Sequence, residues 1–170
     1  MGLYIERRAM HIDDIGWMLL EELQRNGRAS YRELGALVGL TAPAVAERVR
    51  RFERAGIITG FRAEISLDTL GLPIAAMVRA TPKRNLVADS LEQLVATLPQ
   101  VREAYRVTGS EHLWLKLSAD SLAHLDEVLQ RIWTVADTTT NIVLAPIIEH
   151  RPVVPAAFGG PRDDAADRLA

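Results

Sequence analysis

Cysteine is absent from the 170 residues, which removes disulfides, thiol nucleophiles and thiolate metal sites from consideration. A chain without disulfides fits a reducing cytoplasm. Lysine is nearly absent: of the 20 basic residues, all but Lys83 and Lys116 are arginine. No apolar run approaches the roughly 20 residues that span a bilayer. Residues 1–10 lack an apolar stretch of signal-peptide length. Metal-ligand spacing is missing as well, because His11, His112, His124 and His150 are scattered along the chain. Nothing resembles a nucleophile elbow, a phosphate-binding glycine loop or a dinucleotide fingerprint, so catalysis and a resident cofactor are not expected. The proximity of Ser110, Glu111 and His112 does not make a hydrolase without one of those frames.

A large excess of one charge is also missing. The 20 basic and 22 acidic residues leave a formal net charge of −2. That sum hides an asymmetry. Residues 1–63 hold 10 arginines against 8 acids, a net of +2, and residues 64–170 hold 10 basic residues against 14 acids, a net of −4. Location of charge decides nucleic-acid binding, so the total excludes nothing. Arginine suits bidentate contact with phosphate and guanine, although an arginine-rich composition also follows from genomic base bias. Apolar residues make up 48% of the chain, enough for a core and too many for wholesale disorder.

The first third of the chain reads as three helices. Asp13 or Asp14 caps the first, with Ile15, Met18, Leu19 and Leu23 on one face and Gly27 at its end. The second opens with the capping box Ser30-Tyr31-Arg32-Glu33, buries Leu34, Leu37 and Val38, and breaks at Gly39. Thr41 caps a third helix from Ala42 to Arg54 that carries Pro43 in its first turn and stops at Gly56. Two short helices joined by a tight turn form a helix-turn-helix. On a wheel of about 100° per residue, Val45, Val49 and Phe52 face inward, while Pro43, Glu47, Arg50, Arg51 and Arg54 face out and Arg48 lies at the border. The outward charges read either as a solvated face with ion pairs such as Glu47–Arg51 or as a nucleic-acid surface. Small residues at the helix start, Thr41, Ala42, Pro43 and Ala44, favour deep entry into a major groove. Glu47 can accept from cytosine N4, Arg48 reads as an intramolecular brace that also meets phosphate, and Ser30 and Thr41 read first as caps.

Ile57 to Ile65 is strand-like, either a hairpin wing or a connector, and residues 66–73 form an inter-domain joint. The remainder alternates strand (Ile74–Thr81), helix (Leu86–Leu98), strand (Val101–Thr108), turn (Gly109-Ser110-Glu111), strand (His112–Ser118), helix (Leu122–Ile132) and strand (Asn141–Ile148). That order is the split βαβ, ferredoxin-like arrangement. One sheet face lacks a helical cover, and a second copy of the chain is the obvious source. Trp114 and Trp133 read as core or interface. The expected organisation is α+β: a winged-type helix-turn-helix domain (11–65), a linker (66–73), a ferredoxin-like βαββαβ (RAM/ACT-like) domain (74–151) and a flexible tail (152–170).

The stretch Val38-Gly39-Leu40-Thr41 through Arg50-Arg51-Phe52-Glu53-Arg54-Ala55-Gly56-Ile57-Ile58 resembles the Lrp/AsnC feast/famine transcriptional regulators. Asp14-Ile15, Asn26-Gly27-Arg28, Thr59-Gly60-Phe61-Arg62-Ala63, Val107-Thr108-Gly109 and Thr138 to Leu144 extend the resemblance over residues 12–151. It implies a cytoplasmic, nucleoid-associated regulator that binds imperfect palindromes in double-stranded DNA and is not an enzyme. The implied DNA-binding residues are Ser30, Thr41, Ala42, Pro43, Ala44, Glu47, Arg48, Arg50, Arg51 and Arg54. It further implies a homodimer assembling to an octamer or similar particle, with an amino acid or similar effector between dimers at Gly109, Ser110, Glu111, His112, Thr138 and Thr140. Ser110 and His112 stand where the family commonly has acidic residues; Glu111 offers a replacement acceptor for an ammonium, and His112 favours a carboxylate. The competing reading is an effector-binding and oligomerisation module that does not touch DNA.

Overall fold

An aspartate in extended backbone starts the first helix: Asp13 accepts from the Gly16 N–H at 2.8 Å and caps α1 (Asp14–Arg25). Asn26, rather than Gly27, ends it through an N–H bond to the Glu22 carbonyl. In the capping box of α2 (Tyr31–Val38), the Ser30 N–H donates to Glu33 Oε2 at 2.7 Å and the Glu33 N–H donates to Ser30 Oγ at 3.2 Å. Gly39 then adopts φ 70°, the left-handed cap glycine tolerates without cost. α3 (Ala42–Arg54) follows after the three-residue connection Gly39-Leu40-Thr41. The computed structural model describes residues 10–84 and 88–158.

Leu19, Leu23, Leu34, Val45 and Val49 form the helical core, with Ile15, Val38, Leu40 and Ile58 packed against it. Two positions expected inside are outside: Met18 and Leu37 are 44% and 50% exposed. Leu20, Gly16 and Gly35 are buried instead. Both glycines sit where a side chain would not fit. A Cβ on Gly16 would lie 3.1 Å from the Phe52 ring, and one on Gly35 would lie 2.4 Å from the Leu40 carbonyl oxygen. Residues 57–65 form neither helix nor strand, so the segment is a connector and the expected wing has no strands.

A separate unit spans Glu64–Glu149, while the segment from His150 belongs with the helical head. Hydrogen bonds from Leu70 and Leu72 back to Ser66 and Leu67 fold the start of this unit into a turn. The unit contains β1 (Ile74–Pro82), α4 (Ala88–Thr97), β2 (Val101–Arg106), β3 (Leu113–Ala119), α5 (Leu122–Trp133) and β4 (Ala136–Ile142). The sheet is antiparallel in the order β2-β3-β1-β4. Alternation puts Ala76, Val78, Ala80, Leu113, Leu115 and Leu117 against Leu91, Val95, Leu125, Val128 and Ile132 of the helices. Leu86, expected to start the first helix of this unit, lies outside the described residues, and Leu122 is 58% exposed in the first turn of α5.

Two features of the strands do not follow from spacing alone. A register shift between Val101 and Glu103 marks a bulge, so Val101 pairs with Leu117 and packs on the core while Glu103 and Tyr105 sit on the other face. The last strand is 136–142, not 141–148. Its β-branched Thr138-Thr139-Thr140 pairs with β1, whereas Leu144 and Ile147 of the more apolar run, which contains Pro146, are each 97% exposed. The helix-free face of the sheet carries Tyr105 opposite Trp114 and Glu103 opposite Lys116. Trp114 and Trp133 are both half exposed, so neither is core.

The chain from His150 returns to the head. The Val153 N–H donates to Gln24 Oε1 at 2.8 Å, and Gln24 Nε2 donates to the Val153 carbonyl at 3.0 Å. Pro155–Phe158 then form a single 3-10 turn. The described part of the expected flexible tail is therefore held, and residues 159–170 lie outside the described residues. Val153 helps line a cavity of about 600 Å³ with Trp17, Leu20, Leu23, Ile57 and Phe61.

Candidate nucleic-acid interface and ligand turn

The outward face of α3 is set by the inward one. Once Val45, Val49 and Phe52 are buried, helical geometry leaves Pro43, Glu47, Arg50, Arg51 and Arg54 exposed. Thr41 occupies the N-cap position in extended backbone but makes no side-chain cap bond, contrary to the expected cap. An N-cap oxygen ordinarily takes the second or third N–H of its helix; Pro43 at the second position has none, and the Thr41 hydroxyl does not take the third, from Ala44. The Thr41 hydroxyl is consequently left outside the helix bonding pattern, next to the small side chains Ala42 and Ala44. Ser30 differs: its hydroxyl donates to Glu33 Oε2 at 2.7 Å while accepting the Glu33 N–H, and the Ser30 N–H first and its hydroxyl second hold the Glu33 carboxyl below its ordinary range.

The charges of α3 pair in an order that spacing alone did not give. Glu47 accepts from Arg54 at 2.6 Å and lies 3.7 Å from Arg50, and the expected Glu47–Arg51 pair is not formed. Arg48 braces the head, donating to both Asp13 carboxylate oxygens at 2.8 and 2.9 Å. That guanidinium, and then the Gly16 N–H, holds the Asp13 carboxyl below the usual range. Arg51 takes part in none of these pairs and points to solvent. The surface thus presents Arg50, Arg51 and Arg54 around one carboxylate.

The other predicted site lies on the sheet unit. Gly109 adopts φ 117°, a conformation other residues rarely take, and the Val107 N–H bond to the His112 carbonyl closes the turn. Glu111 Oε1 lies 3.2 Å from Arg79, and its Oε2 accepts from the Ser110 hydroxyl at 3.0 Å, which with the Arg79 charge lowers its pKa. His112 Nε2 lies 2.8 Å from Glu92 Oε1. The same carboxylate takes the Arg106 guanidinium at 2.6–3.0 Å, so Arg106 first and His112 second hold Glu92 below its ordinary range. Arg79, Glu92 and Arg106 were not among the expected residues; the outward alternation of β1 was the available signal for Arg79.

Gly109, Ser110, Glu111 and His112 are brought together, but Thr138 and Thr140 are not joined to them. The His112 N–H donates to the Ala80 carbonyl, and Thr138 pairs with Ala80 from the opposite side of β1. Two strand spacings, roughly 10 Å, therefore separate them within one chain. Thr138 Oγ1 accepts the Trp133 indole N–H at 2.6 Å, and Thr140 sits opposite Val78. Among the described residues, no helix is long and apolar enough to cross a membrane, and no group of acidic and histidine side chains is arranged to hold a metal.

A helix-turn-helix head followed by a four-stranded α+β sheet domain defines a DNA-binding transcriptional regulator. Residues 12–53 match the AsnC-type helix-turn-helix domain and residues 75–153 match the Lrp/AsnC ligand binding domain. The chain is 35% identical over 138 residues to the HTH-type transcriptional regulator LrpC of Bacillus subtilis, covering 81% of this chain and 95% of that protein. The solved structure of LrpC superposes with a TM-score of 0.76 at 34% identity, over 82% of this chain and 99% of that one. The feast or famine regulatory protein of Mycobacterium tuberculosis, solved with L-methionine, gives a TM-score of 0.77 at 33% identity over 84% and 99% of the two chains. The leucine-responsive regulatory protein of Haemophilus influenzae is 31% identical over 84% of this chain and 89% of its own length. The chain belongs to the Lrp/AsnC family of transcriptional regulators. Its relatives regulate transcription and are not enzymes.

Proposed function

We propose that this regulator reads an imperfect palindrome in duplex DNA with α3 in the major groove. Arg50, Arg51 and Arg54 meet phosphate or base edges, Arg48 meets phosphate at the border of that face, and Glu47 faces the bases. Thr41, Ala42, Pro43 and Ala44 form the entering end, with Ser30 at the flank. The observation that carries this reading is the arginine-rich outward stripe of α3, with the Thr41 hydroxyl unused by its helix. In this reading residues 11–65 are the DNA-binding domain, 66–73 the linker and 74–151 the effector and oligomerisation domain.

The second domain senses an amino acid or similar small molecule between dimers of a larger homo-oligomer. The sheet face with Tyr105 and Trp114 supplies a dimer contact. The turn Gly109–His112 of one dimer then meets Thr138 and Thr140 of a neighbouring one, which accounts for their separation within one chain. The L-methionine complex of the M. tuberculosis relative supports an amino-acid ligand. Binding biases one arrangement of the heads over another only if the ligand's affinity differs between the two. A cytoplasmic, nucleoid-associated setting goes with this role.

Gel retardation of a fragment from its own promoter by the full chain, over a salt series, tests the DNA reading. Affinity should fall linearly on a log–log plot with a slope reflecting the phosphates neutralised. No retardation at low salt by folded protein overturns it. A thermal-shift screen of the standard amino acids tests the effector reading, since a ligand specific to the folded state raises the melting temperature by mass action. No shift, with no change in assembly or DNA affinity, overturns that part.

A further inference from the structure

The outward stripe of α3 is not uniformly basic. Glu47 sits within about 60° of Arg50, Arg51 and Arg54 on the helix wheel. It is 62% exposed and bonded to Arg54 at 2.6 Å, with Arg50 at 3.7 Å. A helix selected only for phosphate affinity gains nothing from a carboxylate at the centre of its contact face. We propose that Glu47 is a specificity device: in free protein it occupies two of the arginines, and on DNA it penalises every sequence that does not offer it a donor. This inference rests on α3 being the DNA-reading helix.

The reasoning is electrostatic. Exposed ion pairs are weak, so phosphates draw Arg50 and Arg54 away from Glu47 as a duplex docks. The carboxylate is then left among phosphates, where it repels them unless it accepts a hydrogen bond from a base. In the major groove cytosine presents its N4 amino group with no acceptor of its own alongside, whereas the adenine amino group sits beside N7, an acceptor that repels a carboxylate. Cytosine at the position facing Glu47 therefore relieves the penalty, and adenine–thymine sequence does not.

The full chain should be compared on two probes: a duplex it selects from a random library, and poly(dA-dT), which contains no cytosine. Glu47→Ala should bind poly(dA-dT) about tenfold more tightly, with a salt slope steeper by about one. Binding to the selected duplex should be unchanged or weaker, so discrimination falls by about tenfold or more. Glu47→Asp, charged but shorter, should bind poly(dA-dT) like wild type and lose affinity for the selected duplex. Replacing the selected duplex's C·G pairs by T·A one at a time should identify a position that costs wild type but not Glu47→Ala. If Glu47→Ala shifts both probes by one factor, or neither, the proposal is overturned. Circular dichroism and particle size confirm that each variant is folded and assembled. If wild type retards neither probe, the DNA-reading role of α3 fails instead.

Discussion

Arg48 of α3 reaches Asp13 ahead of α1 and donates to both of its carboxylate oxygens, while the same carboxylate caps α1 through Gly16. One side chain therefore starts the first helix and fixes the position of the third. Asp13→Ala should destabilise the head by about 1 kcal/mol through loss of the cap. Asp13→Asn, which keeps an acceptor, should cost less. Because the Asp13 pKa is depressed in the folded head, its contribution is present above the ordinary aspartate range and is lost as pH falls through the lowered value. Urea titration followed at helical wavelengths at pH 7 and pH 3 checks both points: the wild-type advantage should shrink in acid.

Gly35→Ala should also weaken the head, though alanine normally favours helix. The added Cβ would stand 2.4 Å from the Leu40 carbonyl oxygen, backbone that cannot move without opening the α2–α3 turn. Overpacking of this kind costs about 1–3 kcal/mol. Thermal unfolding should show a lower first transition and weaker DNA retardation, with the sheet domain's transition unmoved. An unchanged melting profile would show that the turn accommodates the methyl.

Arg51→Ala should weaken DNA binding across sequences and lower the salt slope by about one for the phosphate contact removed. Arg51 is outside the ion pairs of α3, so the folded head loses nothing by its removal. Gel retardation over a salt series, with sedimentation to show an intact oligomer, separates this outcome from unfolding.

Glu92→Gln should lower the melting temperature of the sheet domain at neutral pH. Arg106 and His112 both converge on this carboxylate and hold it ionised to lower pH than usual. A depressed pKa stabilises above the ordinary glutamate range and ceases to as pH falls through the lowered value. The gap between wild type and variant should therefore be full at pH 7 and narrow as pH falls through the lowered value. A gap that persists in acid would mean Glu92 acts by packing rather than by charge.

Much of the architecture was readable because each signal was local. The Ser30–Glu33 capping box, Gly39 at the helix end and the inward stripe Val45, Val49 and Phe52 are written within a few residues of one another. What was misread depends on partners distant in sequence. Met18 and Leu37 match the helical period but face out, while Leu20, Gly16 and Gly35 take the buried positions. The apolar run after Asn141 resembles a better strand than the threonines before it, yet only pairing with β1 decides which segment enters the sheet. Likewise, Glu47 has three arginines within reach on its own helix, and spacing alone does not say that Arg54 and Arg50 are the ones it pairs with. At the turn Gly109–His112, Glu92 reaches His112 from α4 and itself holds Arg106 of β2, which no motif at the turn announces.

The bonds between Gln24 and Val153 give the head a place in time as well as in space. They join residues 129 apart, with the whole sheet domain translated between them. At a synthesis rate of about 5–20 residues per second, α1 waits roughly ten seconds on the ribosome for its last partner. The helix-turn-helix therefore emerges first, while Val153, one wall of the groove beside Trp17 and Phe61, arrives only after the sheet domain has been made. A nascent or truncated chain that stops before Val153 carries its helix-turn-helix on a head with that groove still open.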